Sequence, residues 1–275
     1  MPELPEVETI ARGVDERLRG DRITDAWFGS HHDLLKTAAE KQAKGLEGRT
    51  ILQVRRVGKH IVCDLGERGA SKPAAQWIVH LGMTGRLLVT TPDTEVALHT
   101  HARLTLASGR EMRFVDPRRF GRLELRELKG EEAFTGPGSE PLTITPEEFA
   151  LLFRGRKLAI KAALLNQTLL HGVGNIYADE SLFRAGIRPK RMAGRLSRAE
   201  LGRLHTALQE VLRHAIELGG SSVSDYVDAN GVRGFFQLEH RVYLRTGEPC
   251  LVCGAPIKRI TLAGRGTHFC SNCQR

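Results

Sequence analysis

Apolar positions in the first twenty residues recur at helical spacing. Val7, Ile10, Val14 and Leu18 stand three or four apart, and Pro5 suits a first turn, so the pattern predicts a helix over 5–19. After Gly20 the pattern changes to short, often alternating runs. ITDAWF, TILQVRRV, HIVCDL, QWIVHLG, GRLLVT, ARLTLA, EMRFV and GRLELREL read as strands, several of them separated by glycine or polar turns. Eight such strands within about 110 residues predict an antiparallel sandwich or barrel. Residues 66–75 and 92–101 read as loops between them.

The stretch TGPGSEP from Thr135 concentrates glycine and proline and reads as an interdomain linker over 135–146. Beyond it the spacing turns helical. Thr145 is a good cap with Pro146 at the first helical position. Helices are predicted over 157–170, 175–185 and 197–218, the last with Leu201, Leu204, Leu208, Val211 and Leu212 on one face. Residues 219–234 form a polar, glycine-containing loop, and the tail from Phe235 carries four of the five cysteines. The expected fold class is α+β and multidomain. Its parts are an N-terminal antiparallel β-sandwich with a leading helix (1–134), the linker, a helical domain (147–234) and a cysteine module (235–275).

Composition narrows the function without naming it. The 275 residues are 41% hydrophobic and 27% charged, which excludes whole-chain disorder, and no apolar run approaches the ~18 residues of a membrane span. The acidic N-terminus lacks the apolar stretch of a secretory signal. Net charge is +9, unevenly spread: residues 1–135 hold 22 basic and 20 acidic residues, residues 136–275 hold 19 and 12. Such a balance fits a polyanionic partner and equally a solvated surface.

Cys250-Leu-Val-Cys253 and Cys270-Ser-Asn-Cys273 are two C-x2-C pairs separated by 16 residues. That is the spacing of a zinc ribbon, in which four thiolates close a tetrahedron at ~2.3 Å per bond. Four thiolates leave no open coordination position, so one structural Zn2+ per chain is expected. Two matched pairs speak against a disulfide or redox site. The small module would draw much of its folding free energy from the metal. Cys63, in HIVCDL, reads as a buried, inert thiol.

The second residue is proline. Removal of Met1 would expose a secondary amine, and an α-amino group has a pKa of ~7.7–8.0, so part of it is neutral at pH 7. Such an amine can attack an aldehyde-like carbon to give an iminium ion, with Glu3 and Glu6 beside it as acid and base. From these residues alone, the simpler reading is that PELPE starts a helix.

Five separated motifs, taken together, resemble those of bacterial formamidopyrimidine-DNA glycosylases. They are PELPEVET at the start, HLGMTG at 80–85, DPRRFG at 116–121, GVGNIYADE at 172–180 and the terminal four-cysteine ribbon. The resemblance spans essentially the whole chain. It implies a helix–two-turns–helix domain in the second half and a bifunctional enzyme of base excision repair. Such an enzyme cuts the N-glycosidic bond of an oxidised purine and nicks DNA by β,δ-elimination. The resemblance makes Pro2 the nucleophile and Glu3 the acid that assists ring opening. Lys59 is assigned to β-elimination and Arg265 to δ-elimination, both with phosphate contacts. His80, His99, Arg156, Lys161, Asn175 and Tyr243 match DNA-contacting positions. Met83, Arg118 and Phe120 match a group that fills the space left by an extruded base, with Arg118 able to read the orphaned cytosine. Glu180 is expected to support the Glu6 region.

The implied partner is double-stranded DNA with oxidised purines or abasic sites, met by a monomer at the nucleoid in a bacterial cytoplasm, with no membrane. Two other readings stay open: an endonuclease VIII-like enzyme for oxidised pyrimidines, and a non-catalytic zinc-ribbon protein that binds damaged DNA. The linker is longer than the family's usual Gly-Pro-Glu-Pro-Leu, and the 219–234 loop carries no decisive signal for lesion preference.

Overall fold

The computed structural model describes residues 1–128, 132–223 and 226–275, with His32 lacking a described side chain. Residues 129–131 of the expected N-terminal domain and 224–225 of the expected loop lie outside the described residues. The chain divides into two compact units. One is Met1–Thr135 with Gly219–Gly234, the other Gly136–Leu218 with Phe235–Arg275.

The first unit begins with helix α1 (Leu4–Leu18), whose buried face is Leu4, Val7, Ile10, Ala11, Val14 and Leu18. All eight predicted strands form: β1 (Ile23–Phe28), β2 (Thr50–Val57), β3 (His60–Gly66), β4 (Ala75–His80), β5 (Arg86–Thr90), β6 (Thr100–Leu106), β7 (Glu111–Val115) and β8 (Arg122–Glu127). They make two four-stranded antiparallel sheets, in the orders β1-β6-β7-β5 and β2-β3-β4-β8. Alternation puts Ile61, Cys63, Leu65, Trp77, Val79, Leu123 and Leu125 in one core with α1 and with Leu87, Leu104, Met112 and Phe114. Cys63 is buried there, and burial pushes its thiol pKa up, which keeps it protonated and inert.

A short helix, α2 (Ala39–Leu46), has no counterpart in the sequence reading. Its fully buried Gln42 accepts the indole N–H of Trp77 at 3.0 Å and donates to the Thr37 carbonyl at 2.8 Å. A polar residue at the packing position breaks the apolar period that would have revealed the helix.

The second unit holds helices α3 (Pro146–Phe153), α4 (Ile160–Leu164), α5 (Asn175–Arg184) and α6 (Arg198–Glu217), with hairpin β9 (Lys258–Leu262) and β10 (Arg265–Phe269). Thr145 caps α3 as expected, its hydroxyl accepting from the Glu148 N–H at 3.2 Å. The helix expected over 157–170 is only the five residues of α4. Beyond it, Asn166 Oδ1 accepts from the Thr168 N–H, and Gln167 donates to the carbonyls of Leu165 and Val173. These side-chain bonds offer the backbone turns instead of another helical turn.

Two boundaries differ from the sequence reading. The expected linker packs within the second unit: the Ser139 N–H donates to the Leu169 carbonyl at 3.0 Å, and Ile144 is buried. The 219–234 segment, read as part of the helical domain, belongs to the first unit. Tyr226 and Ala229 enter the sandwich core, and the Val89 N–H donates to the Ala229 carbonyl at 3.0 Å. Among the described residues, no helix is long and apolar enough to cross a membrane.

Candidate active site and nucleic-acid interface

Pro2 is buried just before α1, behind a half-exposed Met1. Glu3 is the N-cap of α1 and Glu6 stands at its third position, both buried. The Glu6 carboxylate is held between two backbone donors. Its Oε2 accepts from the Glu3 N–H at 2.8 Å and its Oε1 from the Ser221 N–H at 2.7 Å. Gly220 makes the second bond feasible. It has φ +81, and a Cβ there would lie 2.9 Å from Glu6 Oε1. The Tyr226 hydroxyl donates to the Gly219 carbonyl at 3.0 Å, closing the loop on itself. Neither Ser221 nor Tyr226 is visible as a site residue in the sequence, because more than 200 positions separate them from Glu6.

Lys59 sits half-buried in the turn joining β2 to β3. His60 and His80 are cross-strand partners on β3 and β4, with ring centroids 4.9 Å apart. The Gly82 N–H donates to His80 Nδ1 at 3.2 Å, so the neutral ring keeps its proton on Nε2. Burial, together with the positive charges of His60, Lys59, Lys36 and Arg122, lowers the His80 pKa to about 4. His80 is therefore an uncharged hydrogen-bond donor at neutral pH. Met83, Arg118 and Phe120 lie on two turns of the same unit with exposed side chains. Met83 is 42% and Phe120 48% exposed, and the Arg118 guanidinium lies 4.8 Å from the Phe120 ring centroid. His99, also exposed, adopts φ +68.

In the second unit, Asn175 opens α5 and donates from Nδ2 to the Gly266 carbonyl at 3.0 Å. Arg265 is exposed at the start of β10, directly after a tight turn in which Ala263 (φ 48) and Gly264 (φ 71) are both left-handed. Tyr243 is half-buried, with its ring against His240 and His268. Arg156 is half-exposed, its Nε donating to the Leu152 carbonyl.

Two of the expected site residues are buried and hydrogen-bonded within the second unit. Lys161 has no exposed surface. Its ammonium lies 2.7 Å from Asp179 Oδ1, and it donates to Thr267 Oγ1 at 2.8 Å and the Gly266 carbonyl at 3.0 Å. A charge sunk and paired in this way secures the hairpin to α4 and α5 and does not meet a phosphate. Glu180 accepts the backbone N–H groups of Arg241, Val242 and Tyr243 at 2.8–3.0 Å. Burial raises its pKa against those bonds. It thereby folds the segment that carries Tyr243.

The sulfurs of Cys250, Cys253, Cys270 and Cys273 all lie within 4.8 Å of one another. Cys250 and Cys273 are 3.9 Å apart, and Cys253 and Cys270 3.5 Å. A tetrahedron with ~2.3 Å bonds has edges of about 3.8 Å, so the four thiolates fit one structural zinc ion.

The chain resembles known proteins over its full length. Residues 1–123 match the formamidopyrimidine-DNA glycosylase N-terminal domain, 136–227 the formamidopyrimidine-DNA glycosylase H2TH domain, and 247–275 the zinc finger found in FPG and IleRS. It is 47% identical over 276 residues to the formamidopyrimidine-DNA glycosylase of Solibacter usitatus and 44% over 284 residues to that of Gluconobacter oxydans, with all of each chain covered. Among solved structures, Lactococcus lactis Fpg in complex with DNA containing an abasic site superposes with a TM-score of 0.88 at 36% identity, covering 99% of each chain. MutM (Fpg) from Thermus thermophilus superposes at 0.85 with 41% identity, covering 99% of this chain and 98% of that one.

Proposed function

The chain belongs to the formamidopyrimidine-DNA glycosylase family, and on that premise we propose that it excises oxidised purines from double-stranded DNA and cuts the strand at the abasic site. The observation that carries the reading is the buried Pro2, followed by two carboxylates, one of which is locked between two backbone donors.

With Met1 removed, the Pro2 nitrogen attacks the sugar anomeric carbon, the N-glycosidic bond breaks with its electron pair going to the base, and the base takes up the proton that the nitrogen gives up. Glu3 protonates the ring oxygen, the sugar opens, and the nitrogen carries the iminium charge. That charge acidifies the neighbouring C2′–H. Its loss expels the 3′ phosphate, and a second elimination expels the 5′ phosphate. Lys59 and Arg265 bind phosphate and assist the first and second elimination, respectively. His80, His99, Arg156, Asn175 and Tyr243 contact the DNA. His80 acts there through a neutral N–H, as its low pKa requires. Met83, Arg118 and Phe120 occupy the gap left by the extruded base, and the Arg118 donors read the acceptors of the unpaired cytosine. The exposure of these three side chains supports that role.

The zinc is structural, holding the hairpin that presents Arg265. One chain supplies every proposed catalytic and DNA-binding residue, so the working unit is a monomer. The relatives are bacterial, so the proposed place of action is the nucleoid. Nicking of duplexes with 8-oxoguanine opposite cytosine, of thymine glycol duplexes and of undamaged DNA tests the reading. Fast nicking of the first alone supports it. A preference for thymine glycol would transfer the chain to the oxidised-pyrimidine reading, and binding without nicking would leave a damaged-DNA-binding protein.

A further inference from the structure

We propose that Asp116 is a positioning residue whose carboxylate fixes the turn bearing Met83 and the turn bearing Arg118 and Phe120 at one separation. The inference rests on the reading of those three residues as the void-filling group.

Asp116 is fully buried, and a buried carboxylate is costly unless it is hydrogen-bonded. Here each polar atom of the residue has a partner. Oδ1 accepts from the Thr84 hydroxyl at 2.6 Å and from the Arg118 N–H at 3.3 Å. Oδ2 accepts from the Gly121 N–H at 2.8 Å. The backbone N–H donates to the His99 carbonyl at 3.0 Å. The carbonyl accepts from the Arg119 N–H at 3.3 Å and lies 2.9 Å from His101 Nε2. Thr84 adjoins Met83, while Arg118 and Gly121 bracket Phe120. One carboxylate thus joins two wedge-bearing turns, and its backbone adds the strand start at His99.

The two turns also meet at the main chain. Gly82 has φ +61, and a Cβ there would lie 2.5 Å from the Phe120 carbonyl carbon. The tips are exposed and the root is buried. Exposed side chains do not fix their own placement; the hydrogen bonds that converge on the buried side chain at the root do so. Met83 and Phe120 must enter a base stack together, so their separation sets how well the gap is filled.

Thr84→Val keeps the side-chain shape and the Asp116 bonds within 116–121, but cuts the link to the Met83 turn. Single-turnover excision from an 8-oxoguanine:cytosine duplex should slow about tenfold, and the preference for cytosine over adenine opposite the lesion should narrow. Nicking at a preformed abasic site, where no base has to be extruded, should stay within about twofold of the parent. Thr84→Ser should restore both excision and preference. Asp116→Asn, which faces the Gly121 N–H or the Thr84 hydroxyl with an amide donor, should act in the same sense at up to about a hundredfold. Unchanged excision and preference in both Thr84→Val and Asp116→Asn would overturn the proposal. Equal losses on the lesion and on the abasic site would overturn it too, because they mark general unfolding. Arg118→Ala separates the levels. If it leaves the base preference unmoved, the void-filling reading falls and the positioning role with it. If it moves the preference while the Thr84 and Asp116 variants do not, the positioning role alone falls.

Discussion

Lys161 and Glu180 carry the same charges as residues that meet a substrate, and burial gives them other work. Replacing Lys161 by Met strands the Asp179 carboxylate, which also accepts from the His268 N–H at 2.8 Å. Breaking one side of a buried pair costs about 3–5 kcal/mol. Lys161→Met should therefore lower the urea midpoint markedly, and a second change, Asp179→Asn, should recover part of the loss. A Lys161→Met protein of parental stability would contradict the pairing. Sequence reading missed these roles because a motif match identifies a side chain without its exposure. Pro2 and Glu3 by themselves read as a helix start, and the family resemblance is what turns the secondary amine and the carboxyl beside it into candidate chemistry. The clamp on Glu6 was not legible, since its partner Ser221 lies far away in the chain and contributes only a backbone N–H.

At the level of elements, periodicity succeeded where one face is apolar and failed where packing is polar. All eight strands and helices α1, α3, α5 and α6 follow their patterns closely. Helix α2 buries Gln42, which breaks the apolar repeat that would reveal it, while α4 ends at Leu164, before the side-chain bonds of Asn166 turn the backbone, so the spacing over 157–170 overstates its length. The same packing sets a pH dependence. Burial lowers His80 and His240 to about 4 in the folded chain, against ~6.5 when exposed. Between those values the unfolded chain takes up protons that the folded chain refuses, so stability is full above pH ~6.5 and falls as pH drops toward 4. The urea midpoint should be lower at pH ~5 than at pH ~7.5, and the double substitution His80→Asn with His240→Asn should reduce that difference. The zinc element has a small core: Phe183, Val242, Cys250, Ile257 and Cys270, of which two are metal ligands. Metal supplies on the order of 10 kcal/mol to such modules. Chelation or Cys253→Ser should release the hairpin that carries Arg265 and abolish DNA binding in a gel-shift titration, while the sandwich keeps its strand signal in circular dichroism. Undiminished binding by metal-free protein would remove zinc from its structural role.

Across the whole molecule the order of the chain and the order of the fold diverge. The sequence read four consecutive blocks, whereas the first compact unit takes residues 219–234 back after the chain has built most of the second. Among the described residues of this polar loop, Tyr226 and Ala229 are the two that join the core cluster, too few to reveal by pattern which core they join. Charge is patterned at this scale: most of the basic excess lies in residues 136–275, which hold the proposed DNA contacts Asn175, Tyr243 and Arg265. The chemistry assigned to the chain depends on a covalent bond between Pro2 and DNA, and borohydride reduction during turnover makes that bond permanent. Mature protein mixed with an 8-oxoguanine:cytosine duplex and borohydride should yield a cross-linked species whose peptide map places the adduct on Pro2, and Pro2→Gly should trap poorly. An adduct mapping to Lys59 or another amine, or full trapping after the N-terminal nitrogen is acetylated, would contradict the account.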